Sequence, residues 1–173
     1  MANFGANFGM HLVYDWDIGK HPCTPLIAFK RLFMKFETPE SKKLVYEMVV
    51  PMRWGDMDAM NHLNNAMYFR YLETVRIEWM SSIGCAPDSA GEGPVIVNAF
   101  CNFYKQLQYP ADVLIKMYVS DPGRTTFETW GTMELTSQPG VICAAGGATT
   151  IWVDFPIQKA KTLPDWLRQI VSA

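Results

Sequence analysis

The residues best equipped for chemistry lie in the run RWGDMDAMNHLNNAMY, residues 53–68. Two carboxylates (Asp56, Asp58), one imidazole (His62) and three carboxamides (Asn61, Asn64, Asn65) stand immediately before a segment with helical periodicity. A helix N-terminus presents backbone N–H groups without intrahelical partners and a partial positive charge. Such donors can hold a carbonyl oxygen as it becomes an oxyanion. A carboxylate just ahead of the helix can activate water or attack the carbonyl carbon itself. The combination suits acyl transfer.

Each of these residues also has a plain structural use. Asp56 reads as a loop cap or a partner of Arg53, and by residue type alone Asp58 is as much a turn residue as a base. His62 either assists the base or contacts substrate, or is a hydrogen-bonded structural side chain. Metal readings fit poorly. Asp56-x-Asp58 opens like a calcium loop, but Met60, Asn61 and Met67 stand where a ligand, a glycine and a glutamate belong. The DxDxT pattern of phosphoaspartate phosphatases lacks its threonine. GVICAAGG, residues 140–147, has no Lys-Ser/Thr after it and reads as close packing inside a strand. No metal is expected.

Flanking elements must position this run. Residues 43–54, KLVYEMVVPMRW, alternate imperfectly and predict a strand, with Pro51 at an edge or bulge. Residues 66–83 predict a long helix. Tyr68, Leu72, Val75, Trp79 and Ile83 recur at helical spacing, and Tyr71 widens the stripe. Asn64 or Asn65 serves as N-cap and Gly84 as the stop, while Glu73 and Arg76 are spaced to pair. Beyond Pro94 the pattern is β over 95–109, 112–120, 125–135 and 141–154, with Pro- and Gly-containing turns between. Turn signals between successive strands predict an antiparallel meander, and 164–170 a short closing helix. The order predicts an α+β fold in which a long central helix is wrapped by a curved antiparallel sheet of about five strands. Residues 1–40 differ. ANFG occurs twice in tandem (Ala2–Gly5, Ala6–Gly9), Pro and Gly recur, and only 26–36 is amphipathic. They are expected to form a loop-rich extension, with Met34 a candidate natural start, and residues 41–173 the domain proper.

The 173 residues suit one domain plus an appended segment. At 49% hydrophobic and 18% charged, a lone monomer would struggle to hide its apolar side chains, so an extensive subunit interface is expected. A net charge of −2 and a pI near 5.9, without a Lys/Arg cluster, argue against nucleic acid and acidic membranes as partners. No apolar run approaches the roughly 18 residues of a membrane span, and Asp15, Asp17 and Lys20 interrupt any secretory core. Cys23, Cys85, Cys101 and Cys143 are scattered, without CxxC, and read as reduced thiols of a cytoplasmic protein. Met52, Met57, Met60 and Met67 suggest an adaptable apolar pocket around the polar run.

The run RWGDMDAMNHLNNAMYFRYLETVR closely resembles the signature of the 4-hydroxybenzoyl-CoA thioesterase family, Arg-x-x-Asp-x-Asp-x-x-Gly-His-x-Asn-Asn-x-x-Tyr with Glu and Arg further along the helix. The resemblance extends from about Val45 to Val153, through Tyr109-Pro110, Gly123-Arg124-Thr125-Thr126 and Trp152-Val153-Asp154. It implies a hotdog fold, homodimers or homotetramers with active sites at the dimer interface, an acyl-CoA substrate and no cofactor. By position it implies Asp58 as nucleophile or general base. The helix start at Asn64 and Asn65, with His62, would polarise the carbonyl and position the substrate, and Arg124 and Thr125 would contact CoA or the neighbouring subunit. Glu73 is a second candidate carboxylate, because another branch of hotdog thioesterases carries its carboxylate well inside this helix. Asn61 departs from the family glycine. Asn adopts the left-handed conformation more readily than most residues, so the turn is expected to survive.

The function expected is hydrolysis of an acyl-CoA thioester. Two alternatives stand beside it. A hotdog enoyl-thioester hydratase or dehydratase would use Asp58 and His62 for proton transfer, although the His-Phe-Pro-Gly type motif is absent. A non-catalytic acyl-binding hotdog protein would bind without turnover.

Overall fold

The computed structural model describes residues 37–85 and 90–172. In chain order these form β1 (Lys43–Pro51), a single 3-10 turn (Trp54–Asp56), α1 (Asn65–Ser82), β2 (Glu92–Phe103), β3 (Asp112–Ser120), β4 (Thr126–Leu135), β5 (Ile142–Asp154), a two-residue β6 (Lys159–Ala160) and α2 (Asp165–Val171). Every pairing is antiparallel, and the strands make one sheet in the order β1-β3-β4-β5-β2, with β6 added to β5. This is the curved sheet and long helix of a hotdog fold. The expected extension at 1–40, including the 26–36 segment and Met34, lies outside the described residues but for its last four positions.

The sheet is not a simple meander. Only β3, β4 and β5 follow one another; β2 pairs with β5 and β1 with β3, so β1 and β2 occupy opposite edges. The reason is the intervening helix. At 18 residues, α1 is about 27 Å long, enough to carry the chain past four inter-strand spacings of about 4.8 Å. The expected strand over 95–109 is also shorter than read. It ends at Phe103, and residues 104–109 leave the sheet around a fully buried Leu107.

α1 forms where its sequence allows it to start, bury and stop. The Asn64 side chain caps it by accepting the Ala66 N–H at 3.0 Å, and Gly84, at φ +80°, lies just past its end. Tyr68, Tyr71, Leu72, Val75 and Trp79 are all buried, each burial contributing on the order of 1.5–3 kcal/mol. Glu73 pairs with Arg70 rather than the expected Arg76. Both partners are three residues away, but Arg76 turns toward the sheet, into a crevice shared with Gly131 and Gly147. Burial there lowers the Arg76 pKa, against the pull of Glu73. Close approach of helix to sheet depends on the glycines. A Cβ at Gly131 would run into the Leu72 side chain, and one at Gly146 into the Phe100 carbonyl of β2.

Candidate active site

The loop between β1 and α1 is fastened at both ends to the segment that follows β2. The Met52 N–H donates to the Ala111 carbonyl at 3.0 Å, and the Leu63 N–H to the Leu107 carbonyl at 2.8 Å. Met57 and Leu63 pair as an isolated antiparallel bridge, which closes residues 58–62 into a tight turn. Asn61 takes φ +59° in that turn, as expected of the residue replacing a glycine.

Asp58 opens the turn and is solvent-exposed. Its Oδ1 accepts the Met60 N–H at 2.8 Å and the His62 N–H at 3.1 Å. The His62 bond, with help from Met60 and against partial desolvation, holds the carboxyl below the ordinary aspartate range. Oδ2 carries no hydrogen bond among the described residues. Asp58 is therefore an ionised carboxylate at neutral pH, with one oxygen fixed by the turn and the other facing solvent.

Asp56 behaves differently. It is buried, and its Oδ2 accepts the Arg53 N–H at 3.3 Å and the Tyr71 hydroxyl at 2.7 Å. It is thus a loop cap, as one reading of the sequence had it, and its backbone carbonyl also accepts the Asn64 N–H at 2.9 Å.

Asp58, His62, Leu63, Asn64, Asn65 and Tyr68 line one wall of a cleft of about 300 Å³, and Phe103, Tyr104, Lys105 and Gln106 line the other. The four polar residues that the sequence proposed here are therefore brought together. They are not equivalent. The Asn64 N–H is occupied by Asp56 and its side chain by the cap, whereas the Asn65 N–H has no partner among the described residues. Tyr68 packs edge-on against Phe103 at 4.7 Å, and burial pushes its hydroxyl pKa up, keeping it a neutral donor.

Two other expected groups lie elsewhere. Glu73 sits with Arg70 and Arg76 in a separate cleft against Ile96 and Ala99. Arg124 and Thr125 lie on the β3–β4 connection, where the Arg124 carbonyl accepts the Leu163 N–H and the Thr125 carbonyl the Trp152 N–H. Sequence reasoning missed the facing wall beyond Phe103, residues 104–106, because it continued β2 through them. Three polar residues within four positions (Lys105, Gln106, Gln108), against only Asn98 and Asn102 earlier in the run, were the available signal. Among the described residues no group of three His, Cys, Asp or Glu side chains is arranged to hold a metal ion, and no helix is long and apolar enough to cross a membrane.

Residues 52–171 match the family described as the thioesterase-like superfamily. A search of curated proteins gives no match. Among solved structures, the PA2801 protein of Pseudomonas aeruginosa, a candidate thioesterase, aligns with a TM-score of 0.71 at 29% identity, over 75% of this chain and 99% of its own. A candidate acyl-CoA thioesterase from Xanthomonas campestris aligns at 0.63 and 26% identity, over 70% of this chain and 100% of its own. The DHNA-CoA thioesterase of Staphylococcus aureus, at 18% identity, shares the fold with a TM-score of 0.64 over 72% of this chain and 87% of its own.

Proposed function

This chain belongs to the thioesterase-like superfamily, and on that premise we propose that it hydrolyses an acyl-CoA thioester to the free acid and CoA, as a relative of the 4-hydroxybenzoyl-CoA thioesterases. The family and its structural neighbours support thioester hydrolysis in general. The observation that supports the finer reading is a single one: an ionised, solvent-facing Asp58 shares a cleft with the start of α1.

In this reading the thioester carbonyl oxygen lies against the Asn65 N–H at the positive end of α1, which stabilises the developing oxyanion. Asp58 then acts in one of two ways. As general base it takes a proton from water, the hydroxide adds to the carbonyl carbon, and collapse of the tetrahedral intermediate expels the thiolate, which recovers the proton. As nucleophile its free oxygen attacks the carbonyl carbon, the thiolate leaves, and water cleaves the mixed anhydride. Both routes need Asp58 ionised, and its lowered pKa keeps it so at neutral pH. His62 and Asn64 position the turn and the helix start. Glu73, Arg124 and Thr125 would serve through subunit contact, Glu73 as a second carboxylate and the other two at CoA. The assembly proposed is a homodimer or homotetramer, formed along the β2 edge of the sheet.

Thiol release from a panel of acyl-CoAs, wild type against Asp58→Asn, tests the proposal. The Asn side-chain oxygen can still accept the Met60 and His62 N–H groups, so the turn should persist while turnover falls about a hundredfold or more. Undiminished turnover would clear Asp58 and direct attention to Glu73. A folded wild type inactive on every acyl-CoA would remove acyl-CoA as the substrate and favour a carrier-protein thioester, the hydratase or the acyl-binding reading.

A further inference from the structure

We infer that Tyr71 is a positioning residue for this reaction, holding the Asp58 turn in register with the start of α1 through its hydrogen bond to Asp56. The inference rests on the assignment of Asp58 above. An exposed polar turn is the part of a fold most easily displaced, yet a reacting carboxylate must be held to a fraction of an ångström. The bonds from Met60 and His62 to Asp58 fix the internal shape of the turn. They do not fix where the turn sits against the helix.

The Met57–Leu63 bridge ties the two ends of the turn together, and Asp56, two residues before Asp58, ties it to the body of α1. Its carbonyl reaches the helix cap at Asn64, and its carboxylate reaches the start of the loop at Arg53 and the body of α1 at Tyr71. The Tyr71 bond, at 2.7 Å, is the shortest of the three and the one joining two buried side chains. A buried carboxylate that lost its best donor would be costly to keep in place, so the loop must sit where this bond can form. Burial, and then the Asp56 carboxylate, push the Tyr71 pKa far up, so the hydroxyl remains a donor throughout the working range. Core packing alone does not need that hydroxyl. A phenylalanine would fill the same stripe between Tyr68 and Val75.

The test measures kcat, KM, the pH profile and the melting temperature of Tyr71→Phe, Asp56→Asn, Asp56→Ala and Asp58→Asn on the best acyl-CoA substrate. Tyr71→Phe should lower kcat by about tenfold to a hundredfold with KM nearly constant, the signature of a misplaced reacting group. Its acid limb should also move to higher pH, because a turn displaced on the helix carries Asp58 away from the positive start of α1. The charged and titratable groups facing Asp58 are His62 in its own turn, Tyr68 on α1 and Lys105 across the cleft. None is altered in Tyr71→Phe, so the shift reports the turn. Asp56→Asn retains an oxygen to accept the Tyr71 hydroxyl and should keep most of the turnover that Asp56→Ala loses. This pair decides the matter should Tyr71→Phe fail to fold.

A Tyr71→Phe protein with a lowered melting temperature but unchanged kcat and acid limb would overturn the inference, since the bond would then serve stability alone. So would an Asp56→Asn protein as impaired as Asp56→Ala, which would make the charge of Asp56 the requirement. The two readings separate in the same panel. Full activity in Asp58→Asn removes the assignment of Asp58 and this inference with it, whereas an inactive Asp58→Asn beside an unimpaired Tyr71→Phe removes this inference alone.

Discussion

Asp58 and His62 face each other across their turn and exchange two hydrogen bonds. The Asp58 N–H donates to the His62 carbonyl at 2.8 Å, and the His62 N–H donates to Asp58 Oδ1 at 3.1 Å. The backbone of His62 is thereby committed to holding the carboxylate, and only its ring is left to face the cleft. A side chain next to a reacting carboxylate invites a proton-transfer role, but the bonds that matter here come from backbone. A His62→Ala substitution would leave them in place.

The first prediction concerns pH. Both bonds to Oδ1 are made by the ionised carboxylate, and the folded-state pKa is depressed. Their contribution is therefore complete above the ordinary aspartate value of about 3.9 and is lost as pH falls through the lower folded value. Activity that needs the carboxylate follows the same curve. We expect kcat/KM to hold level on its acid side down to about pH 4 and to fall below it. An inflection between about pH 6 and 7 would instead implicate an imidazole as the essential base.

A second prediction separates capping from chemistry at Asn64. Replacing it with Ala removes the acceptor for the Ala66 N–H and should cost about 0.5–2 kcal/mol in urea denaturation, with Asn64→Gly costing less. The backbone bond from residue 64 to the Asp56 carbonyl survives either change, so kcat should fall far less than in Asp58→Asn. Equal losses of kcat in Asn64→Ala and Asp58→Asn would show that the side chain itself touches the substrate.

Much of this was legible in the sequence, for identifiable reasons. Strand and helix extents follow from periods of 2 and 3.6 residues interrupted by Pro and Gly, which are local signals. Asn61 at positive φ and Asn64 at the cap are local too. What escaped was non-local. Nothing in Glu92–Phe103 says that its partner is β5 rather than β3, because both offer apolar residues in alternation. Tyr104 and Leu107 kept the β2 pattern running after the chain had left the sheet. Tyr71 looked like one more residue of the core stripe, and only folding brings its hydroxyl to a carboxylate 15 residues earlier. Glu73 had cations three residues away on both sides, and spacing alone cannot choose between them.

Close packing of α1 on the sheet gives a third prediction, an order rather than a value. At Gly131 an added methyl meets the flexible end of the Leu72 side chain, which can rotate away. At Gly146 it meets the Phe100 backbone carbonyl, which can yield only if β2 moves off β5. Both Gly→Ala changes overpack a core, for which about 1–3 kcal/mol is usual. Gly146→Ala should sit at or above the top of that range and Gly131→Ala below it. Thermal denaturation of the two proteins side by side provides the check, and the reverse order would mean that the helix, not the strand pair, is the rigid element.

The fourth prediction tests the assembly. β2 is an edge strand whose second side has no partner among the described residues, and Val95, Ile96 and Val97 are exposed along it. Phe69 and Ile77 continue the apolar surface onto the outer face of α1. A long apolar edge of this kind is a template for pairing with another chain unless something blocks it. A lysine placed there is such a block, because a charge is disfavoured at the centre of an interface. Val97, 58% exposed, is the suitable position, since its replacement disturbs little inside the subunit. We expect the wild type to sediment as a dimer or larger species at micromolar concentration and Val97→Lys to shift toward monomer. Ile157→Lys, equally exposed but in the turn after β5, should leave the distribution unchanged. If active sites require both subunits, thiol release per chain by Val97→Lys should fall with dilution in step with the monomer fraction. A monomeric wild type with full activity would instead make the 300 Å³ cleft of one chain sufficient by itself.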